Sequence, residues 1–547
     1  MATDNRRSKS SSFLMQGGIL AVAGLLVRLI GMLYRLPLAA KIGDEGMGYY
    51  SSAYSVYSML LIISSYSLPL AVSRLVAERL GKKQAKNVGR ILRASLFYAT
   101  VAGAAGFCVL WFGAQDLAQL LEKPFAQYAL RSLAPTLWVM AYLGVLRGYF
   151  QGYGIMAPTA VSQILEQIVN AAVSIWAAFS LYDAGIRANL VHGETQYAFA
   201  YGAAGGTIGT GAGALTAFLF FLLLFFGNLP GIARSEKRDR RRRPESYGEV
   251  SVALCVTILP ILFSSAVYNI GAVVDDYLFS AHMQDVGAGA DIASMWGVYM
   301  GKYHLLFNIP VAISNALSSS LIPSLSASVA RDDRPSARQK AGMAIRFSML
   351  VAIPSAVGLA VLAGPISDLL FRGGDNTVLI RMTALGSLAV VVFSLSTVSN
   401  AILQGAGHMS LPIRNCLVSL GLHVVILQMF LVVFGLGIFG VLYANILFAL
   451  CVCVMNQWSI RRHLRLRLDA GKAFFLPALA AALMGIAAFG VYRAMTVFLP
   501  SVVGLVAAVC VAVPCYFVLL LVFGGMERSE LETVFGRFMK GGRKQDA

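Results

Sequence analysis

Charge is what this chain has least of. Only 13% of its 547 residues are charged, against about 25% in soluble domains. With 58% hydrophobic residues and a mean hydropathy of +0.71, a water-soluble globular fold is excluded. Cysteine is equally uninformative: Cys108, Cys255, Cys416, Cys451, Cys453, Cys510 and Cys515 all fall in apolar runs, and there is no CxxC pair. Neither a disulfide framework nor a zinc or other metal site is indicated. The sequence has no GxxxxGK[ST] phosphate loop, no HExxH and no GxSxG elbow, so nothing in it specifies an enzyme or an ATPase. Transport by such a chain draws on an ion gradient or on the membrane potential. Acidic loop residues such as Asp44, Glu45, Asp332 and Asp333 are sparse, which counts against an interfacial glycosyltransferase or phosphatase.

What the chain does have is apolar runs of roughly 20 residues from end to end, each long enough to cross a bilayer core of about 30 Å as a helix. About fourteen spans are expected, among them 13–36, 49–73, 127–150, 157–182, 250–281, 294–325, 376–403 and 500–524. This predicts an all-α integral membrane protein. The formal charge of +18 is not the footprint of a nucleic-acid binder, because the basic residues lie between apolar runs. Arg6, Arg7 and Lys9 precede the first span; Arg74 to Arg93, Arg234 to Arg243, Arg331 to Lys340 and Arg461 to Lys472 follow later ones, and the tail is basic. Alternate connections hold only isolated cations such as Lys41, Lys123, Arg187 and Arg372. The alternation places both termini in the cytoplasm and the basic loops against anionic lipid. The first span follows a basic, polar start without a small-residue cleavage signal, so it reads as retained.

A repeat organises the chain. Phe150-Gln151-Gly152-Tyr153-Gly154-Ile155-Met156 is echoed by Leu403-Gln404-Gly405-Ala406-Gly407-His408-Met409, with Pro158 and Pro412 following. A second pair, Leu68-Pro69-Leu70-Ala71-Val72-Ser73 and Ile309-Pro310-Val311-Ala312-Ile313-Ser314, comes at a similar offset. The unit is six helices over about 250 residues. An even-numbered unit keeps its orientation, which predicts two six-helix lobes related by a pseudo-two-fold along the membrane normal. The expected divisions are an N-terminal lobe at 1–234, a basic cytoplasmic linker at 235–248, a C-terminal lobe at 249–467, and two additional helices with a tail at 468–547.

Ionisable groups inside spans are costly and mark interior or water-filled positions. Arg28 and Arg35 lie within about 20° of one another on the first helix, and Gly17, Gly24 and Gly31 form a narrow face beside them. Arg35, next to Pro37, is expected near the outer end, where snorkelling competes with function. Arg28 lies about 12 Å deeper. Lys302 reaches a similar depth in the eighth span; it either meets an anion together with Arg28 or pairs with Asp275 or Asp276 of the seventh. The fifth span has a polar stripe of Thr159, Gln163, Glu166, Gln167 and Asn170. That stripe suits interhelical hydrogen bonds, with Glu166 also a candidate substrate or coupling-ion contact. His423 reads as a packing residue, and the run 202–213, GAAGGTIGTGAG, as a helix-packing device.

The block Arg147-Gly148-Tyr149-Phe150-Gln151-Gly152, with Pro158-Thr159-Ala160, Ser162-Gln163 and Glu166-Gln167, resembles the stage V sporulation protein B-like branch of the multidrug/oligosaccharidyl-lipid/polysaccharide (MOP) exporter superfamily. That branch includes lipid II flippases of the MurJ type. PLAVSRLVAE (69–78), WGVYMGKYHLLFNIP (296–310) and ILQGAGHMSLP (402–412) extend the likeness over essentially the whole chain. The resemblance implies two lobes around a V-shaped cavity, two further C-terminal helices, and alternating access that carries undecaprenyl-pyrophosphate-linked sugars from the inner to the outer leaflet of a bacterial plasma membrane. It implies substrate contacts at Arg28, Arg35, Arg74 and Lys302. The helix-one arginines are spaced one residue wider than in the family pattern, and Lys302 replaces an arginine of other branches.

The function expected is therefore a flippase for a lipid-linked sugar, lipid II in particular, rather than an enzyme. No cofactor is expected; a sodium ion or proton near Asp275, Asp276 or Glu166, or the membrane potential, would reset the site. The expected partners are the lipid-linked oligosaccharide, membrane lipids and cell-wall synthesis machinery, with the protein itself a monomer. Flipping of a teichoic acid, capsule or spore-cortex precursor is the nearest alternative. A drug–cation antiporter of the same superfamily would favour an acidic or aromatic pocket instead, and a non-transporting scaffold would leave the buried arginines unexplained.

Overall fold

The computed structural model describes residues 23–24, 26–239, 244–372, 374–466 and 468–525. Arg6, Arg7, Lys9, Gly17, the linker arginines at 240–243, Arg467 and the basic tail lie outside the described residues. Among the described residues all regular structure is helical. The first part of the chain comprises α1 (Arg35–Leu61), α2 (Leu68–Gly81), α3 (Ala85–Phe112), α4 (Ala114–Leu120), α5 (Gln127–Gly152), α6 (Ala157–His192), α7 (Gln196–Arg238), α8 (Tyr247–Asp285), α9 (Ile292–Trp296) and α10 (His304–Ala330). There follow α11 (Arg334–Val361), α12 (Ala363–Leu370), α13 (Thr377–Gly386), α14 (Leu388–Gly405), α15 (Ser410–Gln428), α16 (Ile438–Leu464), α17 (Leu476–Thr496) and α18 (Ser501–Val522). Twelve helices among the described residues are long and apolar enough to cross a membrane, so this is a multi-pass membrane protein. Of the fourteen expected spans, the first begins outside the described residues, and the seventh lies within α8.

Two compact units form, Met1–Lys302 and Tyr303–Ala547. The division comes later than the basic linker, inside a π-helical turn at Gly297–Tyr303. A second π-turn, Ile62–Tyr66, precedes Leu68-Pro69, just as Gly297–Tyr303 precedes Ile309-Pro310. Pro69 supplies no N–H, so the carbonyl four residues before it, at Ser65 within the Ile62–Tyr66 turn, is released from the α pattern.

The echo has the same structure in both units. Gly154 and Gly407 adopt φ of 79° and 85°, the left-handed region that glycine enters without steric cost. Gly154 N–H donates to the Gln151 carbonyl at 2.8 Å, and Gly407 N–H to the Gln404 carbonyl at 3.0 Å. Ile155 N–H likewise reaches the Phe150 carbonyl, and His408 N–H the Leu403 carbonyl, at 3.2 and 2.9 Å. The preceding glycine packs on the proline-containing helix each time: a Cβ at Gly152 would meet Val76, and one at Gly405 would meet Leu325.

The first span extends further than its sequence suggests. Proline at position 37 reads as a helix end, but the chain turns at Tyr34 and restarts as α1, so Pro37 falls in a first turn where its missing N–H costs no hydrogen bond. The helix runs on to Ile42 and breaks at Gly43, where φ is 65°. Beyond that break α1 meets α9 without side chains between them. A Cβ at Gly48 would collide with the Ala293 backbone, and one at Gly297 with the backbone of Asp44 and Gly48. Gly48→Val should therefore abolish the monodisperse peak in detergent size-exclusion chromatography, whereas valine at the open position Gly421 should leave it intact.

The glycines of α7 perform the packing expected of them. A Cβ at Gly209 would lie 2.6 Å from the Asn170 carbonyl oxygen, and Gly205 and Gly213 meet the backbone of Ala177 and Glu166. The Ser174 hydroxyl bridges the interface, donating to the Gly206 carbonyl at 2.7 Å. Small residues that admit backbone contact are how helices associate where lipid offers no hydrophobic drive.

Candidate functional site

The cations of the first unit divide into neutralised and open ones. Lys302 Nζ lies 2.5 Å from Asp44 Oδ1, with side-chain exposures of 7% and 21%. Lys123, in the connection between α4 and α5, is buried against Asp276, donates to the Ser280 hydroxyl at 2.9 Å, and has the Trp296 ring 5.1 Å away. Arg147 of α5 donates to Glu166 at 2.7 Å and to the Ser162 hydroxyl at 3.0 Å. Arg79 forks onto Glu245 at 3.0 and 3.2 Å, tying α2 to the chain that enters α8.

These pairings differ from those expected. Asp276 holds Lys123, and Asp44, which the sequence did not offer as a partner, holds Lys302. The cause is the close glycine contact of α1 on α9, which brings the turn at Asp44 over the start of the eighth span. Asp275 is also buried. Glu166 takes its structural role through Arg147, a residue that the sequence offered only as part of a loop motif. His423 is a satisfied packing residue, its Nδ1 3.1 Å from the Ala444 carbonyl oxygen.

Arg28 stands apart. It is exposed and has no hydrogen-bonding or ionic partner among the described residues. Measured from the break at Gly43 it lies about 22 Å along the helix, within the roughly 30 Å of a bilayer core. Arg35 opens α1 about two turns before the break at Gly43, with its guanidinium carbon 5.9 and 5.8 Å from the ring centroids of Tyr50 and Tyr54. Those rings satisfy its cation by their π faces, while its Nε is buried without a partner among the described residues. Snorkelling therefore does not describe Arg35. Arg74 is exposed on α2 and likewise has no partner among the described residues. The Gln167 side chain of the polar stripe on α6 packs over Gly31, whereas Gly24 meets nothing within 4 Å.

A model of the polysaccharide biosynthesis protein family matches residues 13–329, more than half of the sequence. The chain belongs to that family. Within this polysaccharide biosynthesis family, stage V sporulation protein B of Bacillus subtilis (strain 168) is 24% identical over 535 residues, covering 96% of this chain and 98% of the relative. The lipid II flippase MurJ of the same organism is 24% identical over 439 residues, covering 76% and 77%. Among solved structures, lipid II flippase MurJ in an inward closed conformation superposes with a TM-score of 0.67 at 13% identity, covering 92% of this chain and 98% of that one. An inward-facing multidrug resistance MATE family transporter of the MOP superfamily gives 0.62 at 15%, covering 81% and 99%. The likeness anticipated from the sequence, to the stage V sporulation protein B and MurJ branch of this superfamily, is thereby shown.

Proposed function

We propose that the protein is a flippase that carries an undecaprenyl-pyrophosphate-linked sugar, in particular the peptidoglycan precursor lipid II, from the inner to the outer leaflet of a bacterial plasma membrane by alternating access. The observation that carries this reading is the open charge of Arg28. In the first unit Asp44, Glu166 and Asp276 each already hold a cation, whereas Arg28 and Arg74 are exposed and have no ionic partner among the described residues. A guanidinium in a membrane-spanning helix without a carboxylate is a place for an anion, and a pyrophosphate matches its forked donors. Arg35 extends the cationic face, and Lys302 would join it when Asp44 withdraws. The isoprenoid tail would stay in lipid while the head group crosses. Resetting would draw on the membrane potential, or on a sodium ion or proton competing at Asp275, Asp276 or Glu166.

The MATE-like fold also suits a drug–cation antiporter, which would need an open carboxylate where this unit has an open guanidinium. Cells depleted of the protein should accumulate lipid II shielded from externally added reagents, with drug susceptibility unchanged by efflux substrates. Normal surface exposure of lipid II with altered efflux would establish the antiporter instead.

A further inference from the structure

The second copy of the echoed loop differs from the first at one chemically telling position: His408 stands where the first copy has Ile155. The His408 ring meets that of His463, at the end of α16, with centroids 4.6 Å apart and planes 54° apart. Nδ1 of His463 lies 2.9 Å from the Ser459 carbonyl oxygen and so carries a proton, leaving Nε2 as its free nitrogen. Both imidazoles line a cavity of about 150 Å³ together with Asp332, Arg334 and Arg338. This is ample space for a compact oxyanion.

The wall is cationic. Arg338 Nε donates to the Leu464 carbonyl at 2.7 Å, which anchors the guanidinium at the cavity. Arg334 is 3.2 Å from Asp332, the one carboxylate among the lining residues, and both are well exposed. Burial, with the neighbouring His463 ring second, holds the His408 imidazolium below its ordinary range. Two facing imidazoles are donors that a metal could use, but two guanidiniums in the same wall repel a cation, and Asp332 is already paired with Arg334. An anion has the opposite preference: it attracts the arginines and relieves the repulsion between two protonated rings.

We infer that this cavity is a proton-linked site for a phosphate group, held by Arg338, Arg334 and the imidazolium forms of His408 and His463. Its occupant is a phosphoryl group of either a lipid head group or free inorganic phosphate. Because binding favours the protonated His408 ring, affinity falls as pH rises through the range of that imidazole, by up to about tenfold per pH unit.

Inorganic sulfate keeps its charge over this range and is the probe. By calorimetry on the full chain in detergent, sulfate should bind at least about tenfold more tightly at pH 6 than at pH 8. His408→Ile, a residue that the first copy of the loop already accommodates, combined with His463→Gln should remove that difference. Arg338→Gln should weaken binding at both pH values. In nanodiscs, loss of sulfate binding with phosphatidic acid but not with phosphatidylcholine supports the lipid source, and binding in both supports the free anion. Equal affinity at the two pH values, or a pH dependence that persists in the double histidine variant, overturns the site.

Discussion

Replacing Arg28 with alanine should stop lipid II export while leaving the protein folded and inserted. The two halves of that result follow from the same geometry. Arg28 is exposed and has no partner among the described residues, so truncation strands no buried group, and the thermal unfolding midpoint in detergent should stay within error of the parent. A charge-assisted hydrogen bond to a phosphate is worth about 1.5–3 kcal/mol, and a bidentate guanidinium makes two. Loss of both corresponds to a fall of about 10²–10⁴ in transport rate. Arg28→Lys keeps the charge but not the fork and should recover only part of the export. The measurement is surface accessibility of lipid II in cells that express the variant alone. Full export by Arg28→Ala would remove the site from this helix face. Lys302→Ala is a poorer test, because it also strands the Asp44 carboxylate and so mixes folding with transport.

How far the sequence could be read depends on the range of the interaction. Span-length apolar runs and a glycine-containing loop that recurs along the chain are local features, and both were legible, although the left-handed conformation of Gly154 and Gly407 was not. The Gln151-Gly152-Tyr153-Gly154 and Gln404-Gly405-Ala406-Gly407 turns form the same hydrogen bonds in both units. Helix-packing glycines at 205, 209 and 213 were legible for the same reason. Arg35 was misplaced because Pro37 has two meanings, helix end and first turn, and only the restart at Tyr34 distinguishes them. Asp44 and Lys123 were missed altogether. Each sits in a short connection and looks like an isolated surface charge; what makes it internal is a partner 258 or 153 residues away in the chain, which no periodicity records. The one local hint at Lys123 is its setting between apolar helices, with Pro124 and Phe125 following directly. His408 was seen as part of a motif but not as a site, because the second ring comes from α16.

Single removal of either partner of the Lys123–Asp276 pair should be among the most damaging substitutions in the first unit. Both side chains are 1% exposed, so Asp276→Asn leaves an ammonium, and Lys123→Met a carboxylate, in a setting that cannot solvate it. The cost of such an unpaired buried charge is about 3–5 kcal/mol, a large fraction of the 5–15 kcal/mol that ordinarily separates folded from unfolded. Both variants should lose most of their thermal stability in detergent. The double change Lys123→Met with Asp276→Leu removes the desolvation penalty along with the attraction and should restore stability to the parent's level or above. A double variant as unstable as the single ones would show that the hydrogen bond to Ser280 and the Trp296 contact, not the charges, hold this connection in place. The same variant separates folding from transport: if Asp276 exchanges Lys123 for a coupling cation during the cycle, the apolar pair is stable but does not export. Export at the parent's rate from that stable variant would exclude Asp276 from coupling, and leave Asp275, Glu166 or the membrane potential to reset the site.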